Sequence, residues 1–138
     1  MKLSRKLEYA CRVLAQLGRF YGGGQLAHIE DLARLEAVPQ NYLVQILNEL
    51  RMGGLLDSRR GKQGGYMLAK APAEISLRDI VDIIEPGMLS PATNPEGQSG
   101  AQISEVWNSI GKKLRKDLQQ TSLAIMIPRY NAGALYDI

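Results

Sequence analysis

Few side chains of this 138-residue chain are arranged to do chemistry, and those that are would read another molecule rather than transform it. Gln40, Asn41, Tyr42, Val44, Gln45 and Asn48 fall within nine residues of one another, spaced to lie along one side of a helix. A side-chain amide presents a donor beside an acceptor, the pair that matches N6 and N7 of adenine in the major groove. Tyr42 can donate to a phosphate or a base edge, or its ring can pack inside the motif. Arg59-Arg60-Gly61-Lys62 follows as a basic, glycine-punctuated stretch. Arg60 suits the narrow minor groove, where negative potential is concentrated, and Gly61 permits close backbone approach. Arg59 and Lys62 suit phosphate contacts, as do Lys2, Arg5 and Lys6 near the N-terminus.

Covalent chemistry finds little support. His28 and Cys11 are the only residues of their types and lie apart in sequence, so no nucleophile–base pair is evident. Gly61-Lys62-Gln63-Gly64-Gly65 lacks the spacing of a phosphate-binding loop. No enzymatic activity, cofactor or metal site is therefore expected. Residues 1–70 carry eleven Lys/Arg and six Asp/Glu, net +5, whereas residues 71–138 carry six and eight, net −2. The basic half is where a polyanion should bind. A single cysteine cannot form an intramolecular disulfide, which fits a reducing cytosol. No run approaches the roughly 20 apolar residues of a membrane span, and Met1–Lys6 does not open a signal peptide. A cytoplasmic protein is expected.

The elements that would position these residues can be read from periodicity. Ser4 is a plausible N-cap for a helix with Leu3, Leu7, Ala10, Cys11, Leu14 and Leu17 at helical spacing, ending near Arg19-Phe20. A short second helix buries Ile29, Leu32 and Ala33, with His28 just before it as a capping or surface group. A third begins at Pro39, turns Leu43, Ile46, Leu47 and Leu50 inward and stops at Gly53-Gly54. Leu55–Arg59 and Gly65–Ala69 read as a hairpin closed by Arg60–Gly64, a wing behind a helix-turn-helix. Ser76-Leu77-Arg78-Asp79 opens a fourth helix burying Leu77, Ile80, Val81 and Ile84, ended by Pro86-Gly87.

Residues 87–102, rich in glycine and proline, read as a flexible loop. Ile103, Val106, Trp107, Ile110, Leu114 and Leu118 then mark the apolar stripe of a long helix with little in its own chain to cover it. Self-association would bury that stripe, making these six the candidate dimer interface. The fold class is mainly α with a small β-hairpin. Residues 1–86 form a winged helix-turn-helix, 87–102 the loop, and 103–138 a dimerisation helix with a C-terminal tail. That tail, Tyr130–Ile138, is apolar enough to dock.

Ser4-Arg5-Lys6-x-x-Tyr9-Ala10, Asn41-Tyr42-Leu43 and Arg60-Gly61-x-x-Gly64-Gly65-Tyr66 resemble the Rrf2 family of bacterial winged-helix regulators in order and spacing, over nearly the whole chain. The wing motif is the most diagnostic. The resemblance implies a transcriptional regulator, expected to be a repressor, that binds double-stranded DNA as a homodimer on a pseudo-palindromic operator. Cluster-bearing members place three cysteines in and after the segment matching residues 87–102, where this chain has neither cysteine nor histidine. Some recruit ligands from the first helix, near Glu8 and Arg12, but an arginine does not serve and Glu8 alone is insufficient. The nearest members in character therefore lack a cluster, and one of them works with an enzyme of cysteine synthesis. Where the family often has an acidic residue after Tyr-Leu, this chain has Val44, which implies a shifted operator. Regulation by a small molecule, by an enzyme partner or by abundance alone stays open. The alternative reading is a winged-helix protein-interaction module, or a regulatory partner of a metabolic enzyme. The basic wing weighs against it, and the scarcity of stacking aromatics weighs against RNA.

Overall fold

The computed structural model describes residues 1–128, so the expectation for the Tyr130–Ile138 tail lies outside the described residues. Helix α1 spans Arg5–Gly18, α2 Ile29–Glu36 and α3 Gln40–Met52. Strands β1 (Leu56–Arg59) and β2 (Gly65–Leu68) follow, then α4 (Leu77–Ile84) and the long α5 (Gly100–Gln120). Short 3₁₀ turns at Pro72–Glu74 and Leu123–Met126 lie before α4 and after α5. Among the described residues no helix is long and apolar enough to cross a membrane.

The first helix starts where its cap requires. Ser4 Oγ accepts the Leu7 N–H at 3.1 Å and donates to the Glu85 carboxylate at 2.6 Å, which ties the start of α1 to the end of α4. Val13, Leu14 and Leu17 pack into one core with Leu32 of α2, Leu43 and Leu47 of α3 and Ile80 of α4. His28 occupies the N-cap position of α2 without a side-chain capping bond.

Between α2 and α3 the chain turns through Ala37, the single described non-glycine residue with positive φ (φ 55°, ψ 47°). A Cβ in that left-handed region costs on the order of 1–2 kcal/mol, so packing of the two helices must enforce the turn. Pro39 then stands at the N-cap with extended backbone (ψ 130°), one residue outside the helix it was expected to begin. Its carbonyl accepts from the Leu43 N–H at 3.0 Å, closing the first turn of α3.

The end of α3 fixes where the wing begins. Leu55 N–H reaches Leu50 O and Gly54 N–H reaches Arg51 O, both at 3.0 Å, with Gly54 at φ 84°. This Schellman closure satisfies two terminal carbonyls and sets Leu55 beside Leu50 in the core. Gly53 is small for another reason: a Cβ there would collide with the Ile83 side chain of α4.

β1 and β2 pair antiparallel, Leu56 opposite Leu68 and Arg59 opposite Gly65. Each is slightly shorter than the sequence pattern implies. A bridge absent from that pattern adds Ala27 to the hairpin: Ala27 N–H donates to Tyr66 O at 2.9 Å and Tyr66 N–H returns to Ala27 O at 2.8 Å. The wing is thereby anchored to the segment leading into α2. α4 opens with a complete capping box, Ser76 and Asp79 exchanging bonds of 3.0 Å.

Residues 87–99 do not stand off from the body. Leu89 is buried, Thr93 and Ser104 share a 2.8 Å hydrogen bond, and Arg115 donates to Ser90 at 2.9 Å. α5 starts at Gly100, earlier than the apolar stripe implied, and the backbone of Pro95 occupies the space a Cβ on Gly100 would need. Apart from Met88 and Leu89, which pack on the core, these contacts are polar or involve main chain, so they leave no mark on hydropathy.

Candidate nucleic-acid interface

With Leu43, Ile46, Leu47 and Leu50 fully buried, the 3.6-residue period turns the rest of α3 outward. Gln40, Asn41, Tyr42, Val44, Gln45 and Asn48 are all exposed, Val44 by 52% and Tyr42 by 39%. Two of the amides are already engaged, Asn41 at one atom and Asn48 at both, since Asn48 Nδ2 also donates to Met52 Sδ at 3.7 Å. Asn41 Oδ1 accepts the Tyr42 N–H at 3.1 Å, and Asn48 Oδ1 accepts from Arg51 at 2.8 Å. Arg51 is thus an exposed cation one turn beyond Asn48, a candidate the sequence pattern did not single out. Its place after Asn48 at i, i+3 was the available signal.

Tyr42 is both accessible and packed. It remains exposed, and its ring meets Tyr9 of α1 edge-on, centroids 5.8 Å apart and planes at 84°.

In the wing, Arg59, Arg60, Gly61 and Lys62 are all exposed, and none of the ion pairs among the described residues involves its three cations. The glycines here serve close backbone approach. Gly61 has φ 108°, which a side chain would strain, and its carbonyl accepts from Gly64 N–H at 3.0 Å. A Cβ on Gly64 would run into the Arg59 carbonyl, and one on Gly65 would meet the Ala27 carbonyl. The Arg-Gly-x-x-Gly-Gly-Tyr pattern is therefore a packing requirement of a tight basic tip and its anchoring bridge.

Lys2 and Arg5 are exposed at the start of α1. Lys6 differs from expectation: its Nζ lies 2.8 Å and 2.7 Å from the two Glu49 carboxylate oxygens of α3. The pair is only partly solvated, and in this structure the Lys6 charge joins α1 to α3.

The α5 stripe divides in two. Ile103, Val106, Trp107 and Ile110 remain about half exposed, whereas Leu114 and Leu118 turn toward the core. Those two leucines help line a groove of about 470 Å³ with Leu7, Cys11, Ala15 and Val81. Cys11 is half-buried, and burial, with the nearby Glu8 charge, pushes its thiol up to about 11. It is almost wholly protonated at neutral pH and is a poor nucleophile. Glu8, Arg12 and Glu36 also border the groove. Arg12 reaches the Glu8 carboxylate at 3.2 Å and the Glu36 carbonyl at 3.3 Å. Burial raises the Glu36 carboxyl above its ordinary value, against the opposing pull of Arg12 and Arg19.

Comparison with known proteins places this geometry. The model of a family described as Rrf2, an iron-dependent transcriptional regulator, matches residues 3–129. The HTH-type transcriptional regulator CymR of Bacillus subtilis is 32% identical over 123 residues, spanning 89% of this chain and 87% of that protein. The solved structure of CymR, titled the global cysteine regulator of B. subtilis, superposes with a TM-score of 0.76 at 31% identity, covering 90% of this chain and 94% of that one. IscR from T. potens gives a TM-score of 0.76 at 27% identity, covering 99% and 96%. The matched proteins are regulators and not enzymes, and they share the winged-helix fold with its long C-terminal helix.

The iron in the family description does not fit the donors of this chain. Residues 87–102 hold no cysteine or histidine, and the one thiol is a protonated residue of α1. Among the described residues no group of three His, Cys, Asp or Glu is placed to hold a metal ion. Arg12, beside Glu8, would repel a cation and offers no lone pair.

Proposed function

The chain belongs to the Rrf2 family of transcriptional regulators, and from that premise we propose that it is a repressor binding a pseudo-palindromic operator as a homodimer, without an iron–sulfur cluster. The observation that carries this reading is an α3 with its polar face exposed, followed by a wing whose cations are outside the described ion pairs. Gln40, Asn41, Gln45 and Asn48 meet base edges and Tyr42 a phosphate or base, while Arg60 enters the flanking minor groove. Arg59, Lys62, Lys2 and Arg5 supply salt-dependent phosphate contacts, and Arg51 joins them.

The exposed half of the α5 stripe supports the dimer. Four large apolar side chains on one helix face await a cover, and a second copy supplies the same stripe by two-fold symmetry. Two wings and two α3 helices then address half-sites about one helical turn apart, roughly 34–36 Å. With no cluster to sense, the signal is a small molecule or an enzyme partner, or the abundance of the repressor itself.

Selection from a pool of randomised duplexes with the purified protein tests this function. A two-fold symmetric motif is expected. Retention of all sequences alike, lost uniformly as salt rises, would reduce the activity to non-specific attraction.

Val44 makes the operator particular to this chain. Exposed in the middle of the reading face, it has no hydrogen-bonding group but can pack on a thymine methyl. Val44→Glu, which restores an acceptor for cytosine N4, is expected to move the preferred base at one position in each half-site. The change in preference should be about 1–3 kcal/mol. Identical motifs for the variant and the parent protein would refute this assignment.

A further inference from the structure

Three helices meet behind the start of α3. Tyr9 of α1 receives the Tyr42 ring edge-on at 5.8 Å, and the Arg12 guanidinium lies over the same Tyr9 ring, 5.8 Å from its centroid. Arg12 is held in turn by the Glu8 carboxylate at 3.2 Å and by the carbonyl of Glu36, the last residue of α2, at 3.3 Å. Tyr9 itself is partly buried and packed against the core.

We propose that Tyr9 is a positioning residue for DNA reading: it fixes the ring of Tyr42, and Arg12 fixes Tyr9. This rests on the reading of α3 as the DNA-contacting helix. An exposed tyrosine at the first turn of a helix samples several rotamers, and each must be given up when DNA binds. An edge-to-face partner selects one ring orientation before binding, so the ordering cost is met within the free protein. The cation over Tyr9 adds to the same end, because it favours one pose of the ring that Tyr42 rests on. Sequence-specific contact by Tyr42 thus depends on a residue of α1 that need not touch DNA.

A double-mutant cycle measures this dependence. Tyr9→Leu, Tyr42→Leu, their combination and Tyr9→Phe are titrated against the selected operator and against unrelated DNA, with thermal unfolding recorded for each. Tyr9→Leu should weaken operator binding about threefold to tenfold, the range of an aromatic pair. Binding to unrelated DNA should be unchanged if Tyr42 meets a base edge and should fall in parallel if it meets a phosphate. Tyr9→Phe should retain the parent affinity, and Tyr9→Leu should have no further effect in the Tyr42→Leu background. Parent-like affinity in Tyr9→Leu, or the same loss whether or not Tyr42 is present, would overturn the proposal. Should Tyr9→Leu fail to fold, Arg12→Met is read in the same cycle, with a smaller loss expected only when Tyr42 is present. If the parent protein prefers no sequence at all, the function reading fails and this one falls with it. If it selects an operator but the cycle shows no coupling, only this inference fails.

Discussion

Replacing Trp107 and Ile110 together by aspartate should yield a folded monomer that has lost its operator. Both side chains lie on the outer face of α5, 52% and 47% exposed, and neither belongs to the hydrophobic core. Their loss costs the isolated chain little, since core packing runs through Leu114 and Leu118 further along the helix. In a two-fold dimer the same positions are buried against their counterparts, and four carboxylates at one apolar interface cannot be desolvated without heavy cost. Operator affinity then reverts from two linked half-sites to one. Linkage of this kind is worth on the order of 10²–10⁴ in affinity. Light scattering after size exclusion should report half the parent mass, with an unchanged helical spectrum and a thermal midpoint close to the parent's. A variant that stays dimeric would place the interface elsewhere. A parent protein that is itself monomeric would remove the dimer from the account.

The wing offers the second large effect. Gly64→Ala introduces a methyl where the Arg59 carbonyl already stands, and 2.9 Å from both the Arg60 carbonyl carbon and the Gly61 carbonyl oxygen. All three obstacles are main chain, so no side-chain rotation relieves the clash and the tip must open. Opening it redirects Arg60 and Lys62 while leaving the core of α1–α4 intact. Operator affinity is expected to fall about fivefold to 150-fold, the cost of about 1–3 kcal/mol for a lost arginine contact to DNA. The salt slope should become shallower by about one if a phosphate contact is lost as well. The thermal midpoint should drop only modestly, because the hairpin also rests on the Ala27–Tyr66 bridge. Parent-like affinity would mean that the wing does not enter the groove.

Much of this arrangement is legible from local pattern alone. The buried stripe of α3, the Gly54 stop and the Ser76–Asp79 capping box depend on residues within one or two turns of each other. Periodicity and capping chemistry therefore reach them. What escapes the sequence is fixed by partners distant in the chain or by main chain. Lys6 reads as a free phosphate ligand until Glu49, 43 residues away, is brought against it by the packing of α1 on α3. Residues 87–99 read as loose because Met88 and Leu89, which pack on the core, are too short an apolar run to form a periodic pattern, and the other anchors are a hydroxyl pair, a serine–arginine bond and two close glycine contacts. The left-handed Ala37 carries no glycine or asparagine to announce it. Leu114 and Leu118 continue the α5 stripe in sequence, and only the fold distinguishes them from the four residues left exposed.

The family resemblance pointed to the regulator and to the wing, and the structure explains why those glycines are required. It also leaves the iron of the family description without donors, which makes metal dependence the sharpest point of contact with experiment. Protein purified anaerobically, stripped with a strong chelator and titrated against its selected operator tests that point directly. No visible iron–sulfur absorbance is expected before stripping, and operator affinity should stay unchanged, within about twofold, after it. Stoichiometric iron in the purified protein, or operator binding that appears only when a cluster is restored, would contradict a cluster-free regulator.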